Sequence, residues 1–242
     1  MPKRKRSRST KKRRSTKRRR TLKRRRWNAP LVRRQMPGFK GYPFGQRFAT
    51  TLRYNESHTF GASTTAGFCS SYNYALNSLY DPNVTGAGHQ PRGFDQLMEI
   101  YQKYTVVGAK ISVKIIPDNT VPGIAGLRVV DRNDGAATLT DKKTAIEQGD
   151  CVWRYHTTAN GGKNMISLSK KFSTKKYFNL KSLIGDDDFT KVATANPPAD
   201  KTAVAQIFVG PVSSADTHGR YTMDVTIEYA CVFTEPKPLG GS

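Results

Sequence analysis

The chain has 242 residues, of which 41 are Lys or Arg and 18 are Asp or Glu, so its formal net charge is +23. It contains no apolar run of the roughly 20 residues that a transmembrane helix needs, and its charged N-terminus lacks the apolar segment of a secretory signal. We therefore expect neither membrane insertion nor secretion. A chain of this length folds as one large domain or two small ones.

The positive charge is concentrated at the N-terminus. Residues 1–55 hold 22 Lys and Arg and no acidic residue, and the first acidic residue is Glu56. Residues 56–242 hold 19 basic and 18 acidic side chains and are nearly neutral. A block of like charge repels itself and has little apolar surface to bury, so composition predicts a disordered basic arm over residues 1–45. We expect residues 46–242 to form one folded shell domain.

Three functions fit such an arm: a solubility tail, a nuclear import signal, and neutralisation of a nucleic acid. A solubility tail does not need so much charge of one sign. An import signal needs only short clusters, and the candidates are Lys3, Arg4, Lys5, Arg6, Lys11, Lys12, Arg13 and Arg14. Bulk binding to nucleic acid uses the whole block, because each cation near a phosphate releases a condensed counterion. We therefore favour nucleic-acid binding, with nuclear localisation as a compatible second role.

The predicted nucleic-acid-binding residues are the cations of the first 34 positions. The arm has no zinc-finger spacing, heptad pattern or recognition helix, so we expect phosphate contacts with little regard for base sequence. Trp27 either stacks on a base or anchors the arm to the domain, and the anchor is favoured. The set comprises Lys3, Arg4, Lys5, Arg6, Arg8, Lys11, Lys12, Arg13, Arg14, Lys17, Arg18, Arg19, Arg20, Lys23, Arg24, Arg25, Arg26, Arg33 and Arg34.

After the arm, the pattern changes from charge to alternation of apolar and polar residues, which is typical of half-buried strands. Runs rich in β-branched and aromatic residues are separated by Gly, Pro, Asn and Asp clusters. They predict eight strands: Phe48–Tyr54, Phe68–Leu76, Val106–Ile116, Leu127–Val130, Cys151–Thr158, Ile166–Phe172, Ala203–Val209 and Tyr221–Phe233. In the last strand the predicted buried face is Met223, Val225, Ile227, Tyr229, Cys231 and Phe233.

Helical periodicity is scarce. Gly93–Tyr104 places Phe94, Leu97, Met98 and Tyr101 on one face and predicts a short amphipathic helix. Asp141–Gln148 suggests a further turn or two. Eight strands with irregular connections favour an all-β fold, a single eight-stranded jelly-roll sandwich with one short helix.

Chemistry-bearing residues do not form a recognisable catalytic or metal motif. The four His residues are scattered, and Cys69, Cys151 and Cys231 are far apart and odd in number, as expected for buried reduced thiols. The run Asp186–Asp188 has the oxygen ligands that a divalent cation prefers but not the spacing of a calcium loop, so a solvated loop is the favoured interpretation. We expect no enzyme activity, no cofactor and no metal.

The stretch from Tyr74 to Ile115 resembles the capsid proteins of circovirus-like viruses, which carry circular single-stranded DNA. Such proteins have an Asn-Ser-x-Tyr-Asp-Pro strand end and a Gly-x-Gly-His-Gln-Pro-x-Gly loop, followed by a helix and a Lys-bearing strand. The match covers about a sixth of the chain. The residues that carry it are Asn77, Ser78, Tyr80, Asp81, Pro82, Gly86, Gly88, His89, Gln90, Pro91, Gly93, Asp95, Gln96, Tyr101, Tyr104 and Lys110.

The resemblance implies a T=1 icosahedral shell of 60 copies around a single-stranded DNA genome, with the arm inside, and localisation to the virion and the host nucleus. Host nuclear import receptors are then partners. Sixty arms supply roughly 1,300 positive charges, of the order of the phosphates in a genome of one to a few thousand nucleotides. His89, Gln90 and Pro91 are then expected in a structural corner or subunit contact.

Two alternatives remain open at this stage. A non-capsid, nucleic-acid-binding accessory protein also needs a basic arm, and it works as a monomer or dimer. The coat protein of a satellite-type RNA virus combines a small jelly roll with a basic arm, and phosphate contacts barely distinguish DNA from RNA. The residues identify no host attachment factor.

Overall fold

The computed structural model describes residues 44–133, 139, 141–147, 150–157 and 165–238. The described residues belong to one compact unit, which spans Pro43–Ser242. Its strands are β1 (Arg47–Phe60), β2 (Ser70–Ala75), β3 (Tyr101–Asp118), β4 (Gly123–Asp131), β5 (Cys151–His156), β6 (Ile166–Ser173), β7 (Thr190–Lys191), β8 (Ala203–Pro211) and β9 (Arg220–Pro236). Its helices are α1 (Phe94–Ile100), α2 (Lys142–Glu147) and α3 (Thr174–Tyr177), with a 3₁₀ turn at Ala199–Lys201.

The strands form two antiparallel sheets. One sheet has the order β1-β9-β3-β6, with the two-residue β7 also paired to β3, and the other has the order β2-β8-β4-β5. If the two-residue β7 is set aside, the first long strand pairs with the eighth, the second with the seventh, the third with the sixth and the fourth with the fifth. This nested pairing is a long antiparallel hairpin rolled into two sheets, the double-sheet jelly roll. The predicted fold class is confirmed.

The core lies between the two sheets and is built from alternate residues. On β9 the six residues predicted to face inward, Met223 to Phe233 in steps of two, are all buried. On β3, Ala109, Ile111, Val113 and Ile115 are buried in the same alternating pattern, while Lys110 and Lys114 are exposed. Each such apolar side chain contributes about 1.5–3 kcal/mol on burial, so the period-two pattern fixes which face of each strand is buried.

The predicted helix over Gly93–Tyr104 is too long. It ends at Ile100, because Tyr101 is extended and begins β3, opposite Pro236 of β9. Pairing with β9 also buries the ring of Tyr104, and this tertiary gain exceeds a weak helical preference. Gly93 precedes the helix with φ of 88°, a left-handed conformation that glycine adopts without strain.

The prediction of a single helix is also incomplete. The second expected turn is present as α2, and α3 and the short strand β7 were not expected. Near α2, Leu139 and Ala145 pack with Phe208 and Cys69 in a second, smaller apolar cluster. Strand β1 runs six residues beyond its predicted end at Tyr54, because β9 supplies a paired residue for every position to Phe60.

Candidate nucleic-acid and assembly surfaces

All of the predicted nucleic-acid-binding and nuclear localisation residues, from Lys3 to Arg34, lie outside the residues that the structure describes. Those assignments, like Trp27 as an anchor, stay predictions. The description begins at Phe44, three residues before β1. There Phe48 stacks on Tyr101, with ring centroids 6.2 Å apart and planes at 12°, and the Tyr101 hydroxyl donates a hydrogen bond to the Gly45 carbonyl at 3.2 Å. These two contacts with Tyr101 hold the backbone in place where the chain enters β1.

The outer face of the five-stranded sheet is polar. Arg53 of β1 lies opposite Glu228 of β9, which lies opposite Lys110 of β3. The Arg53 guanidinium is 2.8 Å from one Glu228 oxygen, and the Lys110 ammonium is 4.0 Å from the other. The next row across the sheet consists of Asn55, Thr226, Ser112 and Ser169. Hydroxyl, amide and paired charged groups suit contact with water or a polyanion better than a dry protein interface.

Three residues of the resembling stretch bind the segment that leads into β8, residues 195–203. The Asn77 amide donates to the Lys201 carbonyl at 2.7 Å and accepts from the Ala203 backbone N–H at 3.0 Å, which ties the end of β2 to the start of β8. The hydroxyl of Ser78 donates to Asn196, and that of Tyr104 donates to the Ala195 carbonyl at 2.8 Å. These contacts hold the crossover from β2 to β3 in place.

The loop that carries His89, Gln90 and Pro91 lies against the free edge of β1. The His89 ring is 4.6 Å from the Tyr54 ring, its Nε2 is 3.0 Å from the Asn55 carbonyl oxygen, and its Nδ1 is 2.8 Å from the Gln90 carbonyl oxygen. A Cβ on Gly88 would lie 2.6 Å from both Asn83 and the Tyr54 hydroxyl, so only glycine allows this approach. The assignment of this loop to a structural corner or a subunit contact stays a prediction.

Beside this loop is a cavity of about 420 Å³, lined by Thr51, Leu52, Arg53, Asn55, His89 and Arg92. Under the loop, the Glu56 carboxylate accepts hydrogen bonds from the Asn83 amide at 2.9 and 3.0 Å and from the Tyr54 hydroxyl. Burial, followed by the hydrogen bond to Glu56, raises the pKa of Tyr54. Asn83 itself is fully buried.

Two histidines that sequence reasoning left unassigned are buried and hydrogen-bonded. His156 Nε2 lies 2.7 Å from the Tyr221 hydroxyl, and burial lowers the His156 pKa. A Cβ on Gly123 would lie 2.0 Å from that hydroxyl, so glycine is needed there for the pair to form. His218 is only 1% exposed, and its Nε2 lies 2.9 Å from the Ser70 hydroxyl. The partners are 65 and 148 residues apart, and no local spacing indicates them.

The remaining candidates for chemistry have structural roles. All three cysteines are free, and burial raises the pKa of Cys69 to about 11 and that of Cys231 to about 12, so both thiols stay protonated at neutral pH. Asp186 accepts a hydrogen bond from the Asp188 backbone N–H at 3.0 Å, which shapes a turn before β7. Within the described residues no three His, Cys, Asp or Glu side chains form a possible metal site. In the same residues no helix is long and apolar enough to cross a membrane.

No family model matches the chain, and no curated protein matches it. Solved structures do. The BFDV capsid protein in its 60-mer is similar at 12% identity and a TM-score of 0.46, over 82% of this chain and 100% of that one. The structure of Cocksfoot mottle virus is similar at 12% identity and a TM-score of 0.45, over 79% of this chain and 96% of that one. The semi-empty VLP of Macrobrachium rosenbergii nodavirus is similar at 9% identity and a TM-score of 0.43, over 83% of this chain and 100% of that one. At such identities the likeness concerns strand arrangement alone.

Proposed function

We propose that this chain is a viral capsid protein that assembles into a small closed shell and packages nucleic acid with its basic arm. The observation that carries the proposal is the partition of charge: 22 Lys and Arg with no acidic residue in residues 1–55, and 19 against 18 in the rest. Jelly rolls also occur in lectins and cupins, so the fold does not decide the function. A polycationic arm on a nearly neutral jelly roll suits a subunit that packs against its own copies around a polyanion.

We further propose that the shell is a T=1 particle of 60 copies that encloses a circular single-stranded DNA genome. The protein would enter the host nucleus through signals in the arm and assemble there. This proposal is supported by the resemblance of residues 74–115 to circovirus-like capsid proteins and by the match between roughly 1,300 arm charges and a small genome. On the outer face of the five-stranded sheet, Arg53, Lys110 and Lys171 share one row with Glu228, and Lys114 lies opposite Asp224, so cations outnumber anions in these rows. That face would then meet the packaged nucleic acid.

Electron microscopy of the purified full-length protein, with and without single-stranded DNA, tests the proposal. We expect closed shells of one small diameter. Monomers or small oligomers at every salt concentration and pH would overturn the capsid function and favour an accessory nucleic-acid-binding protein. Digestion of the packaged nucleic acid with DNase and with RNase then identifies the cargo, because arm contacts to phosphates do not.

A further inference from the structure

The two sheets have four edge strands, namely β1 and β6 in one sheet and β2 and β5 in the other. An edge strand presents unpaired backbone N–H and C=O groups that template pairing with another chain unless something protects them. Three of these edges are protected. His89 lies on the edge of β1, Asn83 forms a bridge with Tyr74 of β2, and β6 carries Lys170 and Lys171.

Among the described residues no loop or bridge covers strand β5, and Arg154 is the one Lys, Arg, Asp or Glu side chain that the strand carries. It pairs with β4 alone, and four consecutive side chains, Val152 to Tyr155, are exposed. The exposed fractions are 38% for Val152, 40% for Trp153 and 51% for Tyr155. Trp153 and Tyr155 lie on one face of the sheet, opposite Gly126 and Ile124 of β4, with their rings 5.2 Å apart at 70°. We call Val152–Tyr155 the β5 edge.

The composition of the β5 edge is that of an interface centre. Trp, Tyr and Arg are the residues that most often dominate the energy of protein–protein contacts, and here they are consecutive. A free strand edge offers alternating donors and acceptors, which another peptide strand complements in full. Nucleic-acid phosphates supply acceptors only, so phosphate contacts would leave the carbonyl groups of the edge unpaired. The cationic arm is disfavoured as well, since the charged side chain of β5, Arg154, repels it.

We propose that the β5 edge is a contact for a second copy of this chain, which buries Trp153 and Tyr155 on assembly. The inference rests on the proposed shell function, because in such a shell the surfaces that surround each domain belong to copies of the same chain. It goes beyond that function by naming the strand and the side chains through which the copies meet.

Tryptophan fluorescence tests the inference directly. The chain has two tryptophans, so Trp27→Phe leaves Trp153 as the only reporter. The emission maximum and the acrylamide quenching constant are measured on dissociated protein and on DNA-free shells verified by electron microscopy in the same sample. We expect a shift to shorter wavelength on assembly, and quenching reduced roughly two-fold or more because an interface core excludes solvent. The Trp153→Phe variant reports Trp27 alone and gives the signal of the arm.

The outcomes separate the two proposals. Verified shells with unchanged Trp153 emission and quenching would overturn the β5 contact and leave the shell function standing. If neither the wild type nor Trp27→Phe forms shells under any condition, the shell function fails and the contact fails with it. A Trp153 change that requires DNA and occurs without shells would show that a nucleic acid covers the β5 edge, which also overturns the inference.

A charged substitution gives a second test. Trp153→Arg changes a side chain that is 40% exposed, and far-UV circular dichroism verifies that the variant keeps the β fold. We expect at least a ten-fold lower yield of sedimenting particles. The matched control is Val192→Arg, whose site is 46% exposed and lies after β7, outside the β5 edge. Wild-type assembly of Trp153→Arg contradicts the inference. An equal loss in Val192→Arg also contradicts it, because added charge rather than a lost β5 contact would then block assembly.

Discussion

The N-terminal region and the folded domain differ in how their charges are balanced. Residues 1–55 hold 22 cations with no anion, whereas the rest of the chain balances 19 cations with 18 anions, some of them paired across strands, as Lys103 is with Glu235 at 2.9 Å. A polyanion is bound by unbalanced charge, while packing of identical subunits requires that they not repel one another. The separation means that the affinity for nucleic acid and the stability of the domain can be changed independently, and the predictions below exploit it.

The largest effect is expected from removal of the arm. Deletion of residues 1–34 removes 19 of the 22 cations of residues 1–55 and leaves every described residue in place. We expect encapsidation to be abolished and affinity for a labelled single-stranded oligonucleotide to fall by several orders of magnitude at low salt, since each lost phosphate contact removes counterion release. Fluorescence anisotropy measures the affinity, and far-UV circular dichroism verifies the β fold.

The control replaces the 19 cations of residues 1–34 with Ser and keeps the length, so that charge is separated from chain length. Binding by the full chain should weaken steeply with salt and differ little between oligonucleotides of different sequence. Packaging that survives the deletion would contradict the role given to the arm.

The second prediction leaves the arm intact and weakens the domain. Tyr229 is fully buried, and its hydroxyl donates to the Ala75 carbonyl at 2.6 Å, a tie between the two sheets. We expect Tyr229→Ala to lower the free energy of unfolding by about 3–5 kcal/mol. Tyr229→Phe keeps the ring but leaves that carbonyl unsatisfied, at a cost of about 1–3 kcal/mol. Urea unfolding measures both.

Below its melting temperature, Tyr229→Phe should bind oligonucleotides like the wild type, since the arm is unchanged. A parallel loss of affinity and stability would show that the two regions are not independent.

The third prediction uses pH to change the stability of the domain while the charge of the arm stays constant. Burial lowers the pKa of His156 below its ordinary value of about 6.5. The folded state therefore favours the neutral ring. Its contribution to the free energy of unfolding is fully present above pH 6.5 and is lost as pH falls from 6.5 towards the lower pKa of the folded state. His156→Gln removes this titration. We expect its melting temperature to fall less than that of the wild type between pH 7.5 and 5, by calorimetry.

Binding by the arm should not change over this pH range, because Lys and Arg stay protonated. Parallel melting curves for wild type and His156→Gln would show that His156 is not the titrating group.

The features predicted from the sequence are those that depend on neighbours along the chain. Alternation and runs of β-branched and aromatic residues located all eight long strands and the inward face of β9. The end of α1 was misplaced because β9, more than 100 residues away, recruits Tyr101 into β3. The His156–Tyr221 pair and the exposed edge of β5 were missed for the same reason. Each depends on which strands become neighbours, which local pattern does not encode.

The smallest effect is expected at the ion pair on the outer face of the five-stranded sheet. Arg53 and Glu228 lie 2.8 Å apart, but their side chains are 70% and 35% exposed, so water and salt screen the pair. A double-mutant cycle with Arg53→Ala and Glu228→Ala should give a coupling energy of about 0.2–1 kcal/mol, which decreases with added salt. Arg53→Ala should lower oligonucleotide affinity far less than the arm deletion, because one cation is lost instead of 19 and Glu228 already balances it. If this one substitution weakened binding as much as the deletion, the unbalanced charge of the arm would not be what holds the nucleic acid.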